Sequence, residues 1–175
     1  MTHATWQPSL LVLLSMLMGC GPRRQQDGAA PEHRSRSSEQ LEGRVYATGQ
    51  EVSSAVTLVG DDGQSMTLLG DLEPELGRLS GATVRVNGTK ADRSRGKSFE
   101  VQDYEVLSID GEQPTVGILA YVQGAMSLAG RDTVELASVP EDLRGKEGAK
   151  VWVVGPRNGR KLEILSFGIL REPGK

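Results

Sequence analysis

The sequence predicts an all-β protein whose folded part is one small unit made twice. Three observations carry this. From Glu42 onward the same series of short blocks recurs in the same order and spacing. Within the blocks apolar and polar residues alternate, the period of a half-buried strand. Between the blocks stand turns rich in glycine and aspartate rather than long helical stretches.

The elements follow in chain order. Gly43-Arg44-Val45 opens the first copy and Gly117-Ile118-Leu119 the second. Val56–Gly60 and Met66–Leu68 match Met126–Gly130 and Val134–Leu136. The turns between them, Gly60–Gly63 and Gly130–Asp132, are hairpin chemistry. Leu72–Leu76 and Val139–Leu143 then break the two-residue period. Apolar residues four apart, with proline and acids at the start, suit a short helix. Gly81 and Gly148 end that helix in the left-handed region or turn the chain. Gly81–Gly88 and Gly148–Gly155 form the fourth strand of each copy. Phe99–Leu107 and Leu162–Leu170 form the fifth.

Strand, strand, strand, short helix, strand, strand resembles the OB-fold, a five-stranded Greek-key barrel. More narrowly it is similar to the small OB-type domains of exported bacterial proteins of unknown function. The resemblance implies two tandem five-stranded OB-like barrels, residues 42–112 and 115–172, each with a short helix between strands three and four. A pair of SH3-like barrels is the alternative that the pattern leaves open. The polar linker Asp110–Pro114 is too short to let the copies drift far apart, so they are expected to pack together.

The N-terminus says where the chain works. Leu10–Met18 is almost wholly apolar and ends in Gly19-Cys20, followed abruptly by Gly21-Pro22-Arg23-Arg24. The run is shorter than the ~20 residues of a membrane span and has the pattern of a secretory signal. With the cysteine at its boundary it resembles the lipobox signal peptide of bacterial lipoproteins. The resemblance implies a signal peptide over 1–19, lipid attachment at Cys20, a membrane anchor and a place in the cell envelope. Gly21 after the cysteine, instead of Asp, implies the outer membrane, facing the periplasm. A stray thiol behind an uncleaved anchor is the alternative; the segment before the run holds no Lys or Arg. Residues 20–41 are expected to be a disordered tether, whose polar stretch Arg23–Gln40 reaches roughly 25 Å as a flexible coil.

Composition excludes several chemistries. Both histidines, His3 and His33, and the one cysteine lie outside the repeat. No Ser-His-Asp, Cys-His or zinc site can be assembled within it, and no phosphate loop is present. Asp61 and Asp62 read as turn residues rather than calcium ligands, which come in sets of six to eight oxygens. Glu141 and Asp142 read as an acidic first helical turn. The expectation is a protein that is not an enzyme and carries no cofactor or metal.

Two features suggest binding. The loop between strands four and five is basic in both copies: Lys90, Arg93, Arg95 and Lys97 in the first, Arg157, Arg160 and Lys161 in the second. Trp152, at the position of Arg85 in the first copy, faces away from Val151 and Val153. It is either an exposed partner-binding residue or part of the contact between the barrels. The expected function is a non-enzymatic, lipid-anchored envelope protein that binds another envelope protein. The alternative is an anionic ligand or glycan held by the basic loops. Nucleic acid is not expected: the net charge is −3, and Phe99, Tyr104 and Phe167 fall at core positions rather than on a stacking face.

Overall fold

Val45, Val56, Leu58, Leu68, Val84, Val86 and Phe99 come from five strands and share one buried core. Their alternation along each strand puts one face inward, as a half-buried sheet requires. In the computed structural model, which describes residues 38–49, 55–93 and 96–174, these strands are β1 (Glu39–Thr48), β2 (Ala55–Val59), β3 (Ser65–Leu69), β4 (Thr83–Arg93) and β5 (Gly96–Ser108). They pair in the order β1-β2-β3-β5-β4 and close into a barrel through β1 and β4. All ladders are antiparallel except β3 with β5, which is parallel. The helix α1 (Glu73–Gly77) lies between β3 and β4 in the chain and buries Leu76 in the barrel core. Pro74 and the acids Glu73 and Glu75 stand in its first turn, where proline loses no hydrogen bond and acids meet the helix dipole. Gly81 follows at φ 92°, the left-handed conformation that glycine adopts freely.

The second half holds β6 (Thr115–Val122), β7 (Ala125–Ala129), β8 (Val134–Leu136), β9 (Lys150–Val154), β10 (Arg157–Asn158), β11 (Lys161–Leu162) and β12 (Ser166–Arg171). Its core gathers Leu119, Leu128, Val134, Leu143, Val151, Val153 and Leu162. The pairings repeat those of the first half. β6 runs against β7 and β9, β7 against β8, β12 against β9, and β11 lies parallel to β8. The chain is therefore mostly β-structure and OB-fold-like.

Two expectations are corrected. The second half is a seven-stranded sheet, β10-β11-β8-β7-β6-β9-β12, rather than a closed barrel. Its fifth strand is divided between β11 and β12. Pro156, which has no N–H to donate, ends the β9 ladder. The chain crosses back instead through Glu163 N to Pro156 O (3.1 Å) and Leu165 N to Val154 O (2.9 Å). The second helix is only a 3-10 turn, Glu141–Leu143. It is confined between Pro140 and Gly145, whose φ is 70°. In the first half β1 starts at Glu39, and Glu39 and Gln40 pair with Gly88 and Asn87. The rest of the expected tether up to residue 37, the signal peptide and Cys20 lie outside the described residues.

The halves share a contact. Leu170 of β12 is buried in the first core, and Val116 and Trp152 pack against it. Arg78, just after α1, donates to the carbonyls of Ile169 and Leu170 at 3.4 and 3.1 Å. The linker turns sharply at Asp110 and Gly111, closed by paired hydrogen bonds between Ile109 and Glu112, both 2.9 Å.

Candidate functional site

A polar cleft of about 490 Å3 opens where the halves meet. One wall is the outer face of β1, β4 and β5, because alternation that sends Val84 and Val86 inward sends Arg85 and Asn87 outward. Arg85 is fixed there by Glu105 at 2.9 Å and Glu42 at 3.1 Å, its neighbours across the two ladders. Beside it Gln40 donates to Asn87 Oδ1 at 3.0 Å. The other wall comes from the second half. It presents Gln113 from the linker, Arg131 and Asp132 from the β7–β8 turn, and Arg157 from β10. Among the described residues neither Arg131 nor Arg157 makes an ion pair; Arg157 Nε donates to Gly159 O at 3.1 Å. The cleft therefore offers two exposed guanidinium groups opposite a row of amides. Asp103, Glu105 and Asp132 add negative charge, of which Glu105 is already taken by Arg85.

Tyr104 and Lys150 line the same cleft, and beneath them lies a buried charge cluster. The Glu75 side chain is only 5% exposed. It accepts hydrogen bonds from Tyr104 Oη at 2.6 Å and Lys150 Nζ at 2.7 Å, and pairs with Arg171 at 3.1 Å. Lys150 also stands 4.3 Å above the Tyr104 ring, a cation–π distance. Burial alone would raise the Glu75 carboxyl. The hydrogen bonds from Lys150 and Tyr104, with the charges of Lys150 and Arg171, outweigh it and hold the carboxyl below its usual range. Burial, with the Glu75 carboxylate beside it, pushes the Tyr104 hydroxyl far up, so it stays a donor. Among the described residues no buried side-chain nitrogen or oxygen lacks a partner.

The residues singled out in the sequence are scattered. Lys90 pairs with Glu39, Lys97 donates to Gln64 at 2.6 Å, and Lys161 faces Glu135 at 3.3 Å. Lys90, Arg157 and Arg160 line three different depressions. The Arg93 side chain and Arg95 lie outside what is described. Among the described residues the basic loops build no common anion site: each described lysine has a local partner, and the two loops belong to different halves. Trp152 lies over Gly168 and against the first core. It thus stands in the contact between the halves. Asp62 accepts from Gln64 N at 2.9 Å as a turn residue. Among the described residues no group of His, Cys, Asp and Glu is placed to hold a metal.

Glu75, Lys150 and Arg131 were not found by sequence reasoning. Glu75 occupies the repeat position of Asp142, which is exposed. Nothing local separates a buried acid from an exposed one in the same motif. Lys150 stands where the first copy has Thr83, and that departure from the repeat was the available signal.

No family model matches the chain, and no curated protein matches it. Among solved structures it is similar to a deletion mutant of the single-stranded DNA binding protein from Thermus aquaticus. The identity is 16%, over 79% of this chain and 94% of that chain, with a TM-score of 0.26. Two expectations are withdrawn against that neighbour, which is a single-stranded DNA binding protein: that the partner is an envelope protein, and that nucleic acid is excluded.

Proposed function

We propose that the two halves are tandem OB-type units that together bind a short single-stranded nucleic acid across the cleft between them. The observation that carries this is the cleft itself. Arg131 and Arg157, free of ion pairs among the described residues, line with Gln113 one wall of a groove of about 490 Å3 whose other wall carries Gln40 and Asn87. Guanidinium groups suit phosphate oxygens. Amide side chains can both donate to and accept from base edges. OB-folds take oligonucleotides on the face of their second and third strands and on the loops between strands one and two and strands four and five; Arg157 lies in such a four–five loop, whereas the first half meets the cleft with β1, β4 and β5. With two free cations the binding is weak and modestly salt-dependent. For single strands the slope of log K against log salt is about −0.7 per neutralised phosphate, hence about −1.4 here.

The test is fluorescence anisotropy with a labelled oligothymidylate of about 12 nucleotides. Arg131→Glu with Arg157→Glu is expected to weaken binding at least about tenfold, or 1.4 kcal/mol. Lys90→Glu with Lys97→Glu, at the hairpin outside the cleft, leaves it within about twofold. Equal losses from both pairs would contradict the cleft.

The reading is of a non-enzymatic module, since the repeat contains no His or Cys. Its place is the cell envelope, by lipid attachment at Cys20 after signal-peptide removal. The apolar run Leu10–Met18 and its boundary cysteine support this. Mass spectrometry of the N-terminal peptide from a Gram-negative host checks it. An acylated peptide beginning at Cys20, lost in Cys20→Ser, is expected; an intact Met1 peptide with a bare thiol would contradict it.

A further inference from the structure

Glu75 does not line the cleft, yet it holds two groups that do. Tyr104 belongs to β5 of the first half and Lys150 to β9 of the second. Both direct their polar ends to one carboxylate, at 2.6 and 2.7 Å. Arg171 of β12 reaches the other carboxylate oxygen at 3.1 Å. One buried acid on α1 thus joins the first half to two strands of the second. Leu170, next to Arg171, is buried in the first core, and Arg78 binds the carbonyls of Ile169 and Leu170. The polar contacts therefore sit beside an apolar plug, and together they tie the two walls of the cleft to each other.

Resting on the cleft reading above, we infer that Glu75 is a positioning residue. It locks the second half onto the first, sets Lys150 over Tyr104, and so fixes the spacing of the cleft walls. A buried carboxylate with three donors has one low-energy arrangement, because moving any donor away leaves charge uncompensated in a poorly solvated place. Glu75 touches no ligand in this arrangement; it acts through Lys150 and through the docking of β12.

The experiment compares the full chain with Glu75→Gln, which keeps the shape and removes the charge. Lys150→Gln is the second variant, should the first fail to fold. Two readouts are taken: oligothymidylate affinity, and hydrogen exchange of β9 and β12 amides relative to β3 and β5. Glu75→Gln is expected to bind at least tenfold more weakly. Its β12 amides should exchange at least tenfold faster, with β3 and β5 unchanged. Wild-type affinity with wild-type β12 exchange would overturn the inference, as would faster exchange spread evenly over all strands. If the wild-type chain binds no oligothymidylate, the cleft reading fails and the exchange pattern alone decides the lock. Selective β12 loosening then upholds it, and its absence overturns it.

Discussion

Gly88→Ala and Gly155→Ala are each expected to destabilise the protein by about 3 kcal/mol, a large part of the 5–15 kcal/mol that holds a typical domain. The two glycines end the matching fourth-strand blocks of the two copies. At both, the fifth strand passes so close that no Cβ fits. A Cβ on Gly88 would collide with the Glu100 carbonyl oxygen and stand 2.9 Å from Phe99 Cε1. A Cβ on Gly155 would collide with the Glu163 carbonyl oxygen and stand 3.2 Å from Leu165 N. The obstacles are mostly backbone, so relief requires separating strands. The entropy gained by replacing glycine, about 0.4–1 kcal/mol, is too small to offset this. Gly77→Ala is the control. Its Cβ would meet only Val56 Cγ2 at 3.4 Å, and alanine favours the helix. Urea unfolding reads all three. Midpoints for the two strand variants close to wild type would show that the fifth strand does not cross where the structure places it.

Glu75→Ala is expected to cost about 3 kcal/mol, the lower end of the range for removing one partner of a buried ion pair. The lower end applies because the Lys150 and Arg171 side chains are 23% and 58% exposed and recover some hydration. The same carboxyl makes stability depend on pH, and the sign is fixed by the direction of its shift. It is held below its usual range in the fold. Its contribution is therefore fully present above the ordinary carboxylate range and is lost as pH falls through the folded value. Thermal midpoints of wild type should fall more steeply than those of Glu75→Gln from about pH 5 to about pH 3. Parallel curves would mean that the carboxylate does not hold the cluster.

Much of the fold was legible because it is written twice. The alternation in Val84-Arg85-Val86 and Val151-Trp152-Val153 sorted inner from outer faces, and both buried sets lie in the cores. Gly81 and Gly148 were readable as turns and take φ of 92° and 88°. The division of the last strand was not legible. Pro156 was visible, but its effect depends on how Glu163 and Leu165 bond back across β9. The site was harder still. Charge repetition drew attention to the loops, where lysines find partners that sequence distance conceals, such as Glu39 for Lys90 and Gln64 for Lys97. Arg131 was read only as part of a turn, and its position in the cleft comes from the packing of the two halves. Glu75 and Asp142 share a motif position, and only the docking of β12 onto α1 buries one of them.

If the cleft is the binding surface, an NMR titration of the isotopically labelled chain with oligothymidylate will show progressive shifts at Asn87, Gln113, Arg131 and Arg157, with Lys97 and Arg160 unmoved. Shifts confined to the hairpin tips, or no shifts at saturating oligonucleotide, would contradict it.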